Sequence, residues 1–195
     1  MFSSLYPGYY DHPIFILDIF MTCIVAISDN GKVYMGGDRG HSDSHTLVSS
    51  TQPKIFDVGS YLIGYCGNSG IGQAVIYNFQ YPAVGKTHNI DRHMLKVFIP
   101  ALRLFFKEND IKIPDDDDSN AGFIIGVKGR VYEIDISDFQ CVEYEEVSIG
   151  SGSSYAYGSL YTSIDLPAKA RVEKAIQAAT NYSPTCKAPI DILYK

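Results

Sequence analysis

Several short stretches carry residue types that chemistry needs. In His41-Ser42-Asp43-Ser44-His45, the two His and the Asp fall at alternate positions, so an extended segment would put all three on one face. That pattern suits a metal site, and it equally suits a polar loop after Asp38. Gly150-Ser151-Gly152 lies between a predicted strand and a predicted helix, where backbone N–H groups can cradle phosphate. It lacks a third glycine and a βαβ context. Asp115–Asp118 reads as a solvated acidic loop, with cation binding as the alternative. Cys23, Cys66, Cys141 and Cys186 are far apart and form no Cys-x-x-Cys pair. That spacing excludes a structural zinc site and a disulfide framework, and reads as reduced thiols in the cytosol. Taken singly, Thr22 is a strand residue, Asp38 after Gly36-Gly37 a turn residue, and Lys54 after Pro53 a solvated one. Ser151 alone is a helix cap, and Gly64 alone a strand-end glycine.

The elements that must position these groups are legible from periodicity. The chain has 195 residues, 46% of them hydrophobic and 19% charged, enough for one domain with a sizeable core. A net charge of −6 without a Lys/Arg cluster argues against nucleic acid and anionic membrane as partners. No apolar run reaches the length of a membrane span. Residues 1–21 form a separate leader, Tyr-rich and broken by Pro7, Gly8 and Pro13. Its apolar stretch contains Asp18 and follows no basic region, unlike a signal peptide.

From Thr22 the domain 22–195 opens on a strand, turns at Asp29-Asn30-Gly31 and returns over Lys32–Gly37. Residues 40–51 suggest a loop or an irregular edge strand. Lys54–Val58 and Tyr61–Cys66 pair around Gly59-Ser60, and a helix follows over 69–79. Met94, Leu95, Phe98, Leu102, Phe105 and Phe106 recur at helical steps, predicting an amphipathic helix over 89–109 that Pro100 kinks. A third hairpin turns at Lys128-Gly129, and residues 140–149 give one further strand. Helices over 153–164 and 167–179 follow, with Asp165 as cap and Pro167 in the first turn. Residues 190–194 close a sheet. Strands grouped by hairpins, with no βαβ alternation, predict an α+β fold of antiparallel sheets with helices on their outer faces.

Against this frame the segments Thr22-Cys23-Ile24-Val25, Asn30-Gly31 and Gly36-Gly37-Asp38 resemble the start of mature proteasome β subunits, and still more the HslV protease. In that family an Asp follows the N-terminal Thr by sixteen residues and a Lys follows it by thirty-two; here those positions are Asp38 and Lys54. Ile149-Gly150-Ser151-Gly152 followed by Tyr155-Ala156 resembles the family's Gly-Ser-Gly turn into a helix. The resemblance implies a four-layer αββα sandwich and a threonine-type peptidase. Thr22 is then the nucleophile, and its own α-amine, with an ordinary pKa of roughly 7.7–8.0, is the base. Lys54 lowers the pKa of both groups and Asp38 orients Lys54. Ser151 bonds the amine or a water, and the Gly64 N–H stabilises the oxyanion. Cys23 as an alternative N-terminal nucleophile does not fit these spacings.

The same resemblance implies no cofactor, a polypeptide substrate bound in extended form along residues 41–45 with His41 at its specificity pocket, and a stacked ring of six or seven copies fed by an AAA+ ATPase. The leader must go, since a peptide bond at Thr22 abolishes the amine's basicity. It is either a self-removed propeptide, ending in Met21 where the family has Gly, or sequence upstream of a true start at Met21; the second is favoured. Proteasome subunits also carry an Asp and a Ser near the end of the last helix that support the active site; here that region reads Asn181-Tyr182-Ser183-Pro184-Thr185-Cys186, and since HslV varies there too, the difference favours the HslV side. A small-amide amidohydrolase and a non-catalytic ring subunit are the rival readings.

Overall fold

The protein is seen in a computed structural model that describes residues 21–42, 46–86, 89–113 and 122–195. Strand β1 (Ile24–Asp29) turns through Asn30-Gly31 into β2 (Lys32–Asp38), and a small hairpin, β3 (Gly40–Ser42) with β4 (Leu47–Ser49), follows. The polar stretch after Asp38 therefore pairs with itself. Next come β5 (Ile55–Val58), β6 (Tyr61–Cys66) and α1 (Ser69–Asn78). The predicted amphipathic helix is divided into α2 (Ile90–His93), a π-helical turn (Met94–Phe98) and α3 (Ile99–Glu108). The wide turn sits just ahead of Pro100, which has no N–H to return to the carbonyl four residues back, so the irregularity falls where the proline dictates.

Strands β7 (Gly122–Val127) and β8 (Arg130–Asp135) form the third hairpin. The single strand expected over 140–149 is two: β9 (Cys141–Tyr144) pairs with β8, and β10 (Glu146–Ile149) crosses to pair with β1. Helices α4 (Ser153–Thr162) and α5 (Ala168–Tyr182) precede β11 (Ile190–Tyr194). Pro167 occupies the cap position of α5 and no side chain caps that helix, so Asp165 does not take the role its position suggested.

One antiparallel sheet runs β10-β1-β2-β11 and the other β5-β6-β7-β8-β9. Both faces of β1 are buried, which is why TCIVAIS reads as a continuous apolar run. Ile24 and Ala26 join Ile55, Leu62 and Ile124 between the sheets. Val25 and Ile27 point the other way, under Leu160 of α4 and Val172 and Ile176 of α5. On the far side Tyr61, Ile63 and Phe123 pack beneath α1–α3. Helix, sheet, sheet and helix are the four layers of the expected αββα sandwich. Among the described residues no helix is long and apolar enough to cross a membrane.

Tyr61 and His93 form a titrating pair in the outer core. Tyr61 Oη lies 2.7 Å from His93 Nε2 and donates to the Pro82 carbonyl at 2.7 Å. Burial holds the His93 pKa below its usual range and pushes the Tyr61 hydroxyl up to about 12. As pH falls below about 6.5, the unfolded chain takes up the imidazole proton before the folded one does. His93 thus contributes stability above that pH and loses it on acidification through the folded value. Melting temperature should fall between pH 7.5 and 5.5, and His93→Gln, which keeps a hydrogen-bonding group but does not titrate, should reduce the drop.

Candidate active site

Thr22 stands immediately before β1, at one end of the sandwich, with 4% of its surface exposed. Asp38, the last residue of β2, is fully buried. Antiparallel pairing of Ile24 with Gly37 brings Asp38 back beside Cys23, whose N–H donates to Asp38 Oδ1 at 2.9 Å. Lys54 enters from the start of β5, and its Nζ donates to the same oxygen at 3.0 Å. Asp38 Oδ2 accepts the N–H groups of Gly40 at 2.8 Å and Lys187 at 3.1 Å. Three backbone donors and one ammonium therefore saturate a carboxylate that burial alone would disfavour.

The Lys54 ammonium also reaches the Met21 carbonyl oxygen at 2.6 Å, and the Thr22 hydroxyl donates to that oxygen at 2.7 Å. With Met21 attached, the Thr22 nitrogen is an amide and has no basic lone pair. The turn before α4 clamps Thr22 from the other side. Gly152 N–H donates to the Thr22 carbonyl at 3.1 Å, and Thr22 N–H points to Ser151 Oγ at 3.4 Å. Gly150 has φ of 90°, and a Cβ there would lie 2.3 Å from the Thr22 carbonyl oxygen, so only glycine lets the turn approach this closely. Gly152 is the cap residue of α4, and the Ser151 hydroxyl turns to Thr22 and Thr185 rather than to the helix.

Thr22, Asp38, Lys54 and Ser151 are thus brought together; Gly64 is not available for the role expected of it. Tyr65 N–H bonds the Lys54 carbonyl on the β5 side, so alternation turns the Gly64 N–H to its partner Ile124 in β7. The reason for glycine at 64 is packing between the sheets: a Cβ would meet Ile24 Cγ2 at 2.5 Å. Gly64→Ala should cost about 1–3 kcal/mol of stability through overpacking, read from denaturant melts. The first backbone N–H beyond β6 belongs to Gly67, which has φ of 93° at the turn into α1.

The loop between α5 and β11 stood out in the sequence only for lacking the family's Asp and Ser, and no role was expected of its own hydroxyls. Thr185 Oγ1 lies 2.7 Å from Ser151 Oγ and 2.7 Å from Ser183 Oγ, so three hydroxyls run in series away from Thr22. Arg39 holds the loop's far end to β2 through Asp191 and through the carbonyls of Lys187 and Pro189. The signal was present in the hydroxyl-rich Ser183-Pro184-Thr185 turn, but only folding shows what the hydroxyls face.

Cys23 is fully buried beneath α5, and desolvation, with Cys186 nearby, pushes its thiol far up, which disfavours a thiolate nucleophile. His41 lines a cleft with Lys54 at its inner edge. Asp43 and His45 fall outside the described residues, as do Asp115–Asp118, and among the described residues no cluster of three His, Cys, Asp or Glu could hold a metal.

No family model matches the chain. Curated relatives named proteasome subunit beta do. The one from Frankia casuarinae is 30% identical over 149 residues, covering 71% of this chain and 53% of the relative. The one from Frankia alni is 30% identical over 178 residues, covering 80% of this chain and 60% of the relative. The chain therefore spans between 53% and 60% of the length of these two relatives. Among solved structures, Thiobacillus denitrificans BPH in complex with epoxomicin superposes with a TM-score of 0.74 at 17% identity, covering 89% of this chain and 97% of that one. Eukaryotic HslV from Trypanosoma brucei gives 0.62 at 18% identity, covering 88% and 98%. The structural likeness shows the fold, and in sequence the chain resembles the proteasome-like proteins named proteasome subunit beta.

Proposed function

We propose that this chain hydrolyses peptide bonds through an acyl ester on Thr22. The observation that carries the reading is the buried Lys54–Asp38 pair, with Lys54 aimed at the carbonyl group next to the Thr22 hydroxyl. Once Met21 is gone, the free amine of Thr22 takes the proton from Oγ as Oγ attacks the substrate carbonyl. The tetrahedral oxyanion is held by a backbone donor, for which the Gly67 N–H replaces Gly64. The amine returns the proton to the departing amino group, leaving the ester. Water, deprotonated by the same amine, cleaves the ester and restores Thr22. Lys54 keeps the amine and hydroxyl pKa values low, Asp38 holds Lys54, and Ser151 orients the amine.

Either route to the free amine serves this chemistry: removal of an initiator Met21, or self-cleavage of a longer leader. The Met21 carbonyl, polarised by Lys54 with the Thr22 hydroxyl 2.7 Å from its oxygen, favours self-cleavage. Assembly is taken to be a stacked ring of six or seven copies receiving unfolded chains from an AAA+ ATPase. Exposed Leu95, Val97 and Leu104 on one outer layer, and Tyr161, Ile164 and Tyr182 on the other, support association. Cys23, Cys66, Cys141 and Cys186 form no disulfide, which goes with a cytosolic setting.

The test is intact mass with and without epoxomicin, the compound bound to the Thiobacillus denitrificans relative. A single adduct is expected on protein that begins at Thr22, and none on Thr22→Ala. A free Thr22 that forms no adduct would end the catalytic reading. A leader that stays attached would favour the non-catalytic ring subunit, and hydrolysis of small amides without peptides would favour the amidohydrolase.

A further inference from the structure

We infer that the cleft beside Lys54 selects substrates with an uncharged carboxamide side chain, glutamine or asparagine, on the residue whose carbonyl is attacked. The inference rests on the nucleophile reading above and adds its substrate class. The Met21 carbonyl oxygen, 2.6 Å from Lys54 Nζ and 2.7 Å from Thr22 Oγ, marks where an acyl carbonyl sits. The cavity that opens from Lys54 has a volume of about 310 Å³, ample for a glutamine side chain.

Its lining is specific in character. Tyr65 forms one wall: its ring stacks on Phe56 and lies against Gly72, where a Cβ would overlap it at 2.3 Å. The Tyr65 hydroxyl is occupied by Ser69. Opposite, Gln73 Nε2 donates to Gln52 Oε1 at 3.1 Å, joining α1 to the loop before β5. That bond uses one end of each amide. The Gln52 amino group and the Gln73 carbonyl are left as an adjacent donor and acceptor with no partner among the described residues. If both amides are turned over, one donor and one acceptor still remain. A carboxamide is the side chain that answers both at once.

Charge excludes the alternatives. No carboxylate lines the cleft among the described residues, and its one lysine is Lys54, so a basic side chain would meet repulsion without compensation. An acidic side chain would compete with Asp38 for Lys54 and draw the ammonium from Thr22. An apolar side chain offers the two amide ends, on solvent-exposed Gln52 and Gln73, no hydrogen bond, so it forgoes what the carboxamide gains.

Four fluorogenic peptides that differ only in Gln, Leu, Arg or Glu at that residue test the inference, on purified protein whose free Thr22 is verified by intact mass. The Gln peptide should have a kcat/KM about tenfold above the Leu peptide, the scale of one or two net hydrogen bonds, with Arg and Glu lower still. The double variant Gln52→Leu, Gln73→Leu should erase the Gln preference while still cleaving the Leu peptide, which excludes a folding defect. A preference for Leu, Arg or Glu, or a Gln preference unchanged in the double variant, would overturn the pocket assignment and leave the nucleophile standing. Epoxomicin labelling without hydrolysis of the Gln peptide would overturn it too. Failure of both labelling and all four peptides would remove the nucleophile reading on which it rests.

Discussion

Lys54→Met is expected to reduce peptide hydrolysis by about 10²–10⁴-fold, the range spanned by losing a general-base system or an electrostatic stabiliser. The same change should destabilise the fold by about 3 kcal/mol, the lower end for breaking a buried ion pair. The lower end applies because the three backbone N–H groups that donate to Asp38 stay in place. Asp38→Asn should be the worse substitution for stability. An amide nitrogen at Oδ2 would face two donors, the Gly40 and Lys187 N–H groups, with no acceptor between them. The double variant Asp38→Asn, Lys54→Met removes both charges, so its loss of stability should fall short of the sum of the single losses by about 0.5–3 kcal/mol, as for coupled neighbours. Its activity should stay as low as that of Lys54→Met. Denaturant melts and peptide hydrolysis on the four proteins separate these effects. A Lys54→Met protein that begins at Thr22 and hydrolyses within tenfold of the parent would refute the assigned role of Lys54.

That pair also shows how far the sequence could be read. Thr22, Asp38 and Lys54 were legible through the resemblance alone, and the fold accounts for its spacings: β1 runs out, β2 returns and the entry to β5 fixes where each one falls. Antiparallel sheets with helices outside were legible from hairpin turns, alternation in β8 and helical steps in 94–106, while the four-layer order came from the resemblance. Gly64 was misread because a glycine in a strand has two unrelated causes. A free N–H and a close approach of neighbouring side chains look alike in sequence, and only register shows that Gly64 bonds into β7 while Gly67 stands past the ladder. Residues 140–149 were read as one strand because both halves carry apolar β-formers. The switch at Glu145 from one sheet to the other is set by which edge each half can reach. The partnership of Thr185 with Ser151 is a contact across 34 positions, beyond any local pattern.

Thr185→Val, which keeps the side chain's shape and deletes its hydroxyl, is expected to lower kcat by about 10²-fold with little change in KM, the scale for a small misplacement of a catalytic group. Ser151 accepts from Thr22 N; its contact with Thr185 and that of Thr185 with Ser183 fit donation either way, and the direction that uses every hydroxyl outward runs from Ser151 to Thr185 to Ser183. In that direction a lone pair of Ser151 faces Thr22, where, with Met21 removed as proposed, it would support the ammonium form of the amine and fix its position. Without the Thr185 hydroxyl, the Ser151 proton is free to turn toward the neutral amine. A donor to the neutral form disfavours the charged one, so the amine's pKa should fall. The acid limb of the rate profile should therefore move to lower pH even as the plateau drops. Thr185→Ser restores the hydroxyl and should recover both. Loss of packing alone would lower the melting temperature and leave the acid limb in place. A Thr185→Val enzyme with an unshifted limb and a kcat within twofold of the parent would show that Thr185 has no part in positioning the base.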